Sequence, residues 1–185
     1  MIKKILEWIR GDLTQLELYN KVVTHSRQEL YFTELNIEDS VTGRFENIVL
    51  HLFLVINRIA AEEGVKSPRV RALQEAFVMD MDRNLREMGI GDMSVGKKVK
   101  SMAAGWFSTA KMYEAALQSD APLDAMTEAL FEQVYREKEN AQAERLALHI
   151  LALSKYLFSL KIETITQNKF EYPSLTSEEN DLIKR

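Results

Sequence analysis

The chain of 185 residues contains no cysteine. This absence excludes disulfide bonds, thiol catalysis and iron–sulfur ligation, and it fits a reducing compartment. Long hydrophobic runs are also missing, because IVLHLFLVI and LALHILAL are each interrupted by histidine and fall short of the roughly 20 residues that a membrane-spanning helix needs. The start, MIKKILEWIRGD, contains acidic residues and no small-residue cleavage site, so it is not a signal peptide. These features predict a cytoplasmic protein, with peripheral membrane contact by residues 1–11 as an open alternative.

Charge of neither sign dominates, since the chain has 28 acidic and 24 basic residues and a net charge of -4. A chain of this balance does not bind nucleic acid over its whole surface, although a local basic patch remains compatible with it. We therefore expect no DNA partner. At 46% hydrophobic residues, the length is sufficient for one domain with a sizeable core.

The hydrophobic pattern predicts an all-α fold, because apolar residues recur at helical spacing and no strand-like alternation of useful length is present. We expect a single-domain helical bundle of about six to seven helices joined by short turns. The predicted organisation is a short amphipathic helix over residues 1–11, a helical domain over 12–161 and a polar C-terminal tail over 162–185, whose end is loose or laid over the surface. Within it, Ser67 with Pro68, Ser94, Asp120 with Pro122, and Asn140 are the expected starts of successive helices. The segment LYFTELNIED is expected to be an ordered loop or a short extended piece.

The stretch from Asp39 to Gly64 is the most apolar long segment and is predicted to be the central helix. Ser40 or Thr42 is the expected N-cap, and Gly64 the residue that ends the helix. Its remaining side carries a line of polar residues at helical spacing: Arg44, Asn47, His51 and Arg58. Two interpretations stay open for this polar line, a buried ion-paired seam and a working site. The expected neighbour is Asp80 or Asp82 of the next helix.

The segment GDMSVGKK resembles a phosphate-binding loop in its glycine and lysine spacing. It departs from that motif because Lys98 replaces the magnesium-binding Ser or Thr and because a helix, not a strand, is predicted before it. Nucleotide hydrolysis is therefore not expected. The predicted helix start still suggests an anion contact, for a phospholipid head group or an RNA phosphate, and its residues are Ser94, Gly96, Lys97, Lys98 and Lys100.

Catalytic and metal-binding patterns are weak. No G-x-S-x-G segment is present, and no Glu-x-x-His pair accompanies His25, His51 or His149 as a di-iron bundle requires. Asp82 and Arg86 fit an i, i+4 ion pair better than a metal site. We expect no enzyme activity, no catalytic residue, no metal and no cofactor.

Two longer segments, YFTELNIEDSVTGRFENIVLHLFLVINRI and LQEAFVMDMDRNLREMGIGDMSVGKKVKSMA, closely resemble the ubiquinol–cytochrome c chaperone family. The resemblance runs from about Leu30 to Tyr135 without notable gaps. Its signature residues in this chain are Thr33, Glu34, Asp39, Gly43, Arg44, Phe45, Glu46, His51, Leu52, Asp80, Asp82, Leu85, Arg86, Gly89, Gly91, Asp92, Ser94, Val95 and Gly96. The chain departs from the family where Gly105 to Ser108 lack an expected arginine and where an asparagine before Tyr135 is absent.

The resemblance implies a non-enzymatic assembly factor for respiratory complex III that binds newly made cytochrome b or another respiratory membrane-protein client. In mitochondrial members it further implies contact with the ribosome and with a small partner protein. A bacterial member, peripheral at the inner membrane, is expected. We interpret one set of residues as the partner-binding or supporting polar framework: Arg44, Glu46, His51, Asp80, Asp82, Arg86 and Asp92. The alternatives are an RNA- or ribosome-binding protein that uses Lys97, Lys98 and Lys100, and a helical metalloprotein or enzyme that uses His51 with acidic residues.

Overall fold

The computed structural model describes residues 2–136 and 142–173, with side chains described from residue 13 onward. Every regular element in these ranges is helical, which confirms the all-α prediction. Six helices have nine residues or more and two are short. They are α1 (Ile2–Ser26), α2 (Leu30–Thr33), α3 (Val41–Glu63), α4 (Pro68–Glu87), α5 (Asp92–Leu117), α6 (Pro122–Leu130), α7 (Gln142–Ser159) and α8 (Ile162–Thr166), with a single π-helical turn at Phe131–Tyr135. No described helix has the length and apolar character required to cross a membrane.

Helix α3 lies at the centre of the fold, as predicted. All residues from Asn47 to Ile56 are buried, and α1, α4, α5, α7 and α8 pack around the helix. Its N-cap is Ser40, whose side chain accepts a hydrogen bond from the Gly43 amide at 3.1 Å. The helix ends at Gly64, which has a positive φ of 85° that side-chain-bearing residues rarely adopt.

The first turn of α3 is packed tightly against the loop before it. A Cβ atom at Gly43 would lie 2.0 Å from the carbonyl oxygen of Glu38. Only glycine permits this approach, which fixes the path of the chain between α2 and α3.

The N-terminal prediction is wrong in one respect, because no break separates residues 1–11 from a second helix at Asp12. Helix α1 continues through Gly11 and Asp12 to Ser26. A glycine inside a helix costs only about 1 kcal/mol relative to alanine, so it does not by itself end a helix whose hydrogen-bond ladder continues on both sides. The LYFTELNIED segment also differs from expectation, since it begins with the short helix α2.

Two further expectations require correction. Helix α5 begins at Asp92 after Gly91, so Ser94 lies inside the first turn and is not the cap. The region after residue 161 is not a loose tail up to residue 173, because α8 forms there and Ile165, Thr166 and Phe170 are buried. Apolar side chains at these positions make docking more favourable than exposure to water. The predicted helix start at Asn140 and the end of the predicted tail, residues 174–185, lie outside the described residues.

Candidate functional site

The polar line of α3 does not form an ion-paired seam with α4. Arg44 instead pairs with Asp39 of the preceding loop at 2.6 Å, on the surface. The Asn47 amide nitrogen donates to the Ser26 carbonyl at 2.6 Å, at the end of α1. Arg44 and Asn47 therefore join α3 to the preceding loop and to the end of α1.

Arg58 is the charged member of the line that is most deeply buried, at 7% exposure. Its guanidinium donates to the carbonyl oxygens of Leu157 at 3.3 Å and Leu160 at 3.2 Å, and it lies 3.4 Å from Glu62. Because the last carbonyls of a helix lack partners within that helix, Arg58 satisfies the end of α7.

The predicted contact of this line with Asp80 or Asp82 is wrong. Asp80 accepts a hydrogen bond from Tyr19 of α1 at 2.9 Å and pairs with Arg83 at 2.6 Å. Asp82 pairs with Arg86 at 2.6 Å, which confirms the predicted i, i+4 pair. The apolar stripe of α4 faces the core through Phe77 and Met81. Asp80 and Asp82 precede and follow Met81 by one position, so they lie on opposite flanks of that stripe.

A cluster around His51 replaces the expected seam. The Nε2 atoms of His25, His51 and His149 lie 3.0, 2.7 and 3.1 Å from the hydroxyl oxygen of Tyr31. We call these four residues the histidine–tyrosine hub. It contains every histidine of the chain and connects α1, α2, α3 and α7.

The hydrogen bonds define the protonation of the hub. His51 Nδ1 lies 2.8 Å from the Asn47 carbonyl, which only accepts, so Nδ1 carries the proton. In a neutral ring His51 Nε2 then accepts the proton of the Tyr31 hydroxyl. The Tyr31 oxygen, with its proton already used, accepts from Nε2–H of His25 and of His149. One phenol thus contacts the Nε2 atoms of three imidazoles, whereas the Nδ1 atom of His25 is buried without a hydrogen-bond partner among the described residues.

The electrostatics agree with three neutral rings. Burial lowers the pKa of His25 to about 3, with repulsion from His149 as a second cause, and lowers the pKa of His149 to about 4. Burial also holds the pKa of His51 well below its usual value, and the neighbouring His25 adds to this effect. Removing an imidazolium from water is unfavourable, and no described carboxylate contacts the three rings to compensate for it.

The same three histidines are the one cluster in the described chain with the donor atoms for a metal ion, and their ligand atoms lie within 4.8 Å of one another. Ring nitrogens around a tetrahedral zinc ion would be about 3.3 Å apart, from zinc–nitrogen bonds of about 2.0–2.1 Å. In this structure the Nε2 atoms of all three rings lie within hydrogen-bond distance of the Tyr31 hydroxyl oxygen. The acidic residues predicted to accompany His51 do not reach it, so that version of the metalloprotein alternative is wrong. As described, the cluster is a hydrogen-bonded hub around a hydroxyl group.

Residues 167–173, the C-terminal strap, cover one side of the hub. The Tyr172 ring stacks on His25 at 3.9 Å between ring centroids and 7° between planes. The Tyr156 hydroxyl donates to the Glu171 carbonyl at 2.7 Å, and Lys21 donates to the Phe170 carbonyl. The strap excludes water from the hub, which is the condition that keeps its histidines neutral.

The other predicted framework residues are dispersed. Glu46 contacts Arg136 at 3.3 Å, and burial raises the pKa of its carboxyl group while Arg136 opposes that shift. Arg86 pairs with both Asp82 and Asp92 on the exposed turn between α4 and α5. Arg44, His51 and Asp80 occupy three further places, so the framework is not a single site.

The predicted anion contact lies in the first turns of α5. Ser94, Gly96, Lys97, Lys98 and Lys100 are all exposed. The glycines of GDMSVGKK cap and continue a helix that follows another helix, so the segment has neither the loop nor the preceding strand of a phosphate-binding loop.

An apolar groove of about 600 Å³ opens beside Arg58, between α3, α5 and α7. We call it the Arg58 groove. Its apolar lining consists of Ala60, Ala61, Val65, Leu117, Pro122, Leu151 and Phe158, and its polar rim of Asn57, Glu114, Gln118, Ser154 and Lys155. Val65 is 73% and Phe158 46% exposed, and the Arg58 guanidinium lies 5.3 Å from the Phe158 ring centroid. Sequence analysis missed these lining residues; the available signal was an outward-facing Phe158 beside the inward stripe of α7.

Helices packed around a buried polar hub, with an open apolar groove at one end, define an all-α helical domain. The ubiquinol–cytochrome c chaperone family model matches residues 33–172. The chain belongs to this family. The match confirms the resemblance and extends it through α7 and the strap.

Among solved structures, the chain is similar to the Cbp3 homolog from Brucella abortus. The two are 25% identical in sequence, with a TM-score of 0.82, over 94% of this chain and 97% of that one. No curated protein sequence matches this chain.

Proposed function

We propose that this protein is a non-enzymatic chaperone for assembly of ubiquinol–cytochrome c reductase and that it holds newly made cytochrome b in the Arg58 groove. The family match supports the chaperone role. The observation that carries the binding site is the groove itself, because open apolar side chains are aligned there between three helices.

The lining of the groove suits a segment of a membrane protein that has not yet entered its final complex. Val65 and Phe158 present apolar surface that would otherwise face water, which is a typical mark of a binding site. Glu114 and Lys155 at the rim carry opposite charges that orient a client helix without dominating its binding. An apolar helix in this groove would be shielded from aggregation while assembly proceeds.

The hub has a supporting role in this proposal. It joins α3 and α7, two of the three helices that form the groove, through His51, Tyr31 and His149. Arg58 joins the same two helices at the groove itself. Together they hold the walls of the groove at a fixed separation. The ribosome and the small partner protein remain predictions of the resemblance.

A groove-filling substitution tests the proposal. Ala61 is exposed and lines the groove, whereas Ala152 is exposed on α7 outside it. Ala61→Trp should reduce co-purification of newly translated cytochrome b about tenfold, whereas Ala152→Trp should leave it unchanged. Equal recovery with both variants would rule out the groove. Recovery with the wild type no higher than with an unrelated bait would remove cytochrome b as the client.

A deletion strain gives the cellular measurement. The expected result is less spectroscopically detectable cytochrome b, restored by the wild-type protein and by Ala152→Trp but not by Ala61→Trp. Normal cytochrome b in the deletion strain would contradict the assembly role.

A further inference from the structure

One face of α5 carries lysines and exposed apolar side chains in a single line. Met93, Lys97, Lys100, Phe107 and Lys111 follow one another at intervals of three, four or seven residues, so they lie along the same side of the helix. We call this line the α5 stripe. Met93 is 99% and Phe107 54% exposed, and the three lysines are exposed.

The stripe is locally cationic although the whole chain is acidic. Between Asp92 and Glu114, α5 contains four lysines and no acidic residue. None of the four makes an ion pair within the part of the chain that the structure describes. Asp92 at the start of the helix already pairs with Arg86, so it does not neutralise the stripe.

We infer that the α5 stripe binds the surface of a bilayer that contains anionic phospholipid. The lysines would lie at the head groups, while Met93 and Phe107 would enter the boundary between head groups and acyl chains. RNA would satisfy the lysines, but it offers no apolar layer for Met93. A membrane surface therefore accounts for both the lysines and the exposed apolar residues of the stripe.

The stripe is long enough for this orientation. From Met93 to Lys111 it extends about 27 Å, at about 1.5 Å per residue, which allows the helix to lie in the plane of the membrane. Its far end is one turn from Glu114, which lines the Arg58 groove. A bilayer bound along α5 would therefore lie beside the groove proposed for a membrane-protein client, although lipid binding does not depend on that client.

Vesicle co-sedimentation with purified protein tests the inference. The wild type should bind phosphatidylcholine vesicles that contain about one-third phosphatidylglycerol, and should bind pure phosphatidylcholine vesicles at least tenfold less. Lys100→Gln with Lys111→Gln should weaken binding to the anionic vesicles roughly 30-fold, because each lysine near such a surface contributes about a fivefold factor. The matched control, Lys66→Gln with Lys169→Gln, removes two exposed lysines elsewhere and should change binding less than twofold.

A second variant separates the membrane from RNA. Met93→Ser with Phe107→Ser keeps every charge and should weaken vesicle binding several-fold. Binding of a single-stranded RNA that depends on the lysines, together with no vesicle binding by the wild type, would overturn the inference. It would also be overturned if the two lysine pairs had equal effects, or if the Ser variant bound vesicles as tightly as the wild type. Circular dichroism on each variant verifies that exposed substitutions leave the helices intact.

Discussion

Mild acid should destabilise this protein through the histidine–tyrosine hub. The pKa of His25 is about 3 and that of His149 about 4 in the folded chain, and that of His51 is well below its usual value because the ring is buried. In the unfolded chain all three should titrate near 6.5. As the pH falls below about 6.5, the unfolded state therefore binds protons that the folded state does not bind. The stabilisation is fully present above about pH 6.5 and is lost as the pH falls toward the folded pKa values.

The size of the effect follows from the same values. Between about pH 7 and about pH 5, a histidine that titrates near 6.5 only in the unfolded state removes about 2 kcal/mol from the free energy of unfolding. His25 and His149 together remove roughly 4 kcal/mol, and His51 acts in the same direction. This loss is a large part of the 5–15 kcal/mol typical of a folded domain.

Urea unfolding followed by circular dichroism at both pH values measures this loss. His149→Asn provides the comparison, because it removes one titrating ring and leaves every carboxylate in place. This variant should be less stable at neutral pH but should lose about 2 kcal/mol less than the wild type on acidification. Equal losses would show that His149 titrates alike in the folded and unfolded states, and a neutral His149 in the folded hub at about pH 5 would then be wrong. A nuclear magnetic resonance titration showing a ring of the folded protein with a pKa near 6.5 would contradict it directly.

Three further substitutions test the packing around the hub and the central helix by chemical unfolding. Tyr31→Phe leaves three ring nitrogens without their partner and should cost at least about 3 kcal/mol; a cost below about 1 kcal/mol would mean that water replaces the hydroxyl. Gly43→Ala should destabilise by about 1–3 kcal/mol because its Cβ would meet the Glu38 carbonyl. Gly105→Ala, with open space around it inside α5, should instead stabilise by about 0.5–1 kcal/mol, and the same sign for both would refute the steric argument. Arg58→Met should cost about 2–4 kcal/mol because it removes the guanidinium donor from two carbonyls at the end of α7 and leaves that of Leu160 without it, and an unchanged midpoint would show that other partners replace the guanidinium.

The ends of the helices were the part of the fold that the sequence predicted best. Ser40 and Ser67 act as N-caps and Gly64 and Gly89 have positive φ, because caps depend on residues within a few positions of one another. The prediction failed at Gly11, where the helix continued, and at Ser94, where the helix began two residues earlier. In both cases a local preference of about 1 kcal/mol or less was outweighed by the rest of the helix.

Only part of the candidate site could be predicted from the sequence. The polar line of α3 was singled out from the sequence, but its partners were predicted wrongly, since Asp80 or Asp82 was expected opposite that line. The direction in which α4 presents a carboxylate depends on how the helix is rotated against α1 and α3. That rotation is set by the packing of apolar side chains over many residues, which no short pattern encodes.

By itself, the sequence determined the helical class, the central place of α3 and membership of the family, because periodicity, caps and ordered motifs are properties of neighbouring residues. Tertiary structure alone decided the hub and the Arg58 groove. Tyr31 forms hydrogen bonds with His25, His51 and His149, which lie 6, 20 and 118 positions away from it in the sequence. No sequence pattern around the three histidines indicates that they contact Tyr31. The cluster arises because packing α1, α3 and α7 around one core buries three polar rings, and one hydroxyl group provides a hydrogen-bond partner for the Nε2 atom of each.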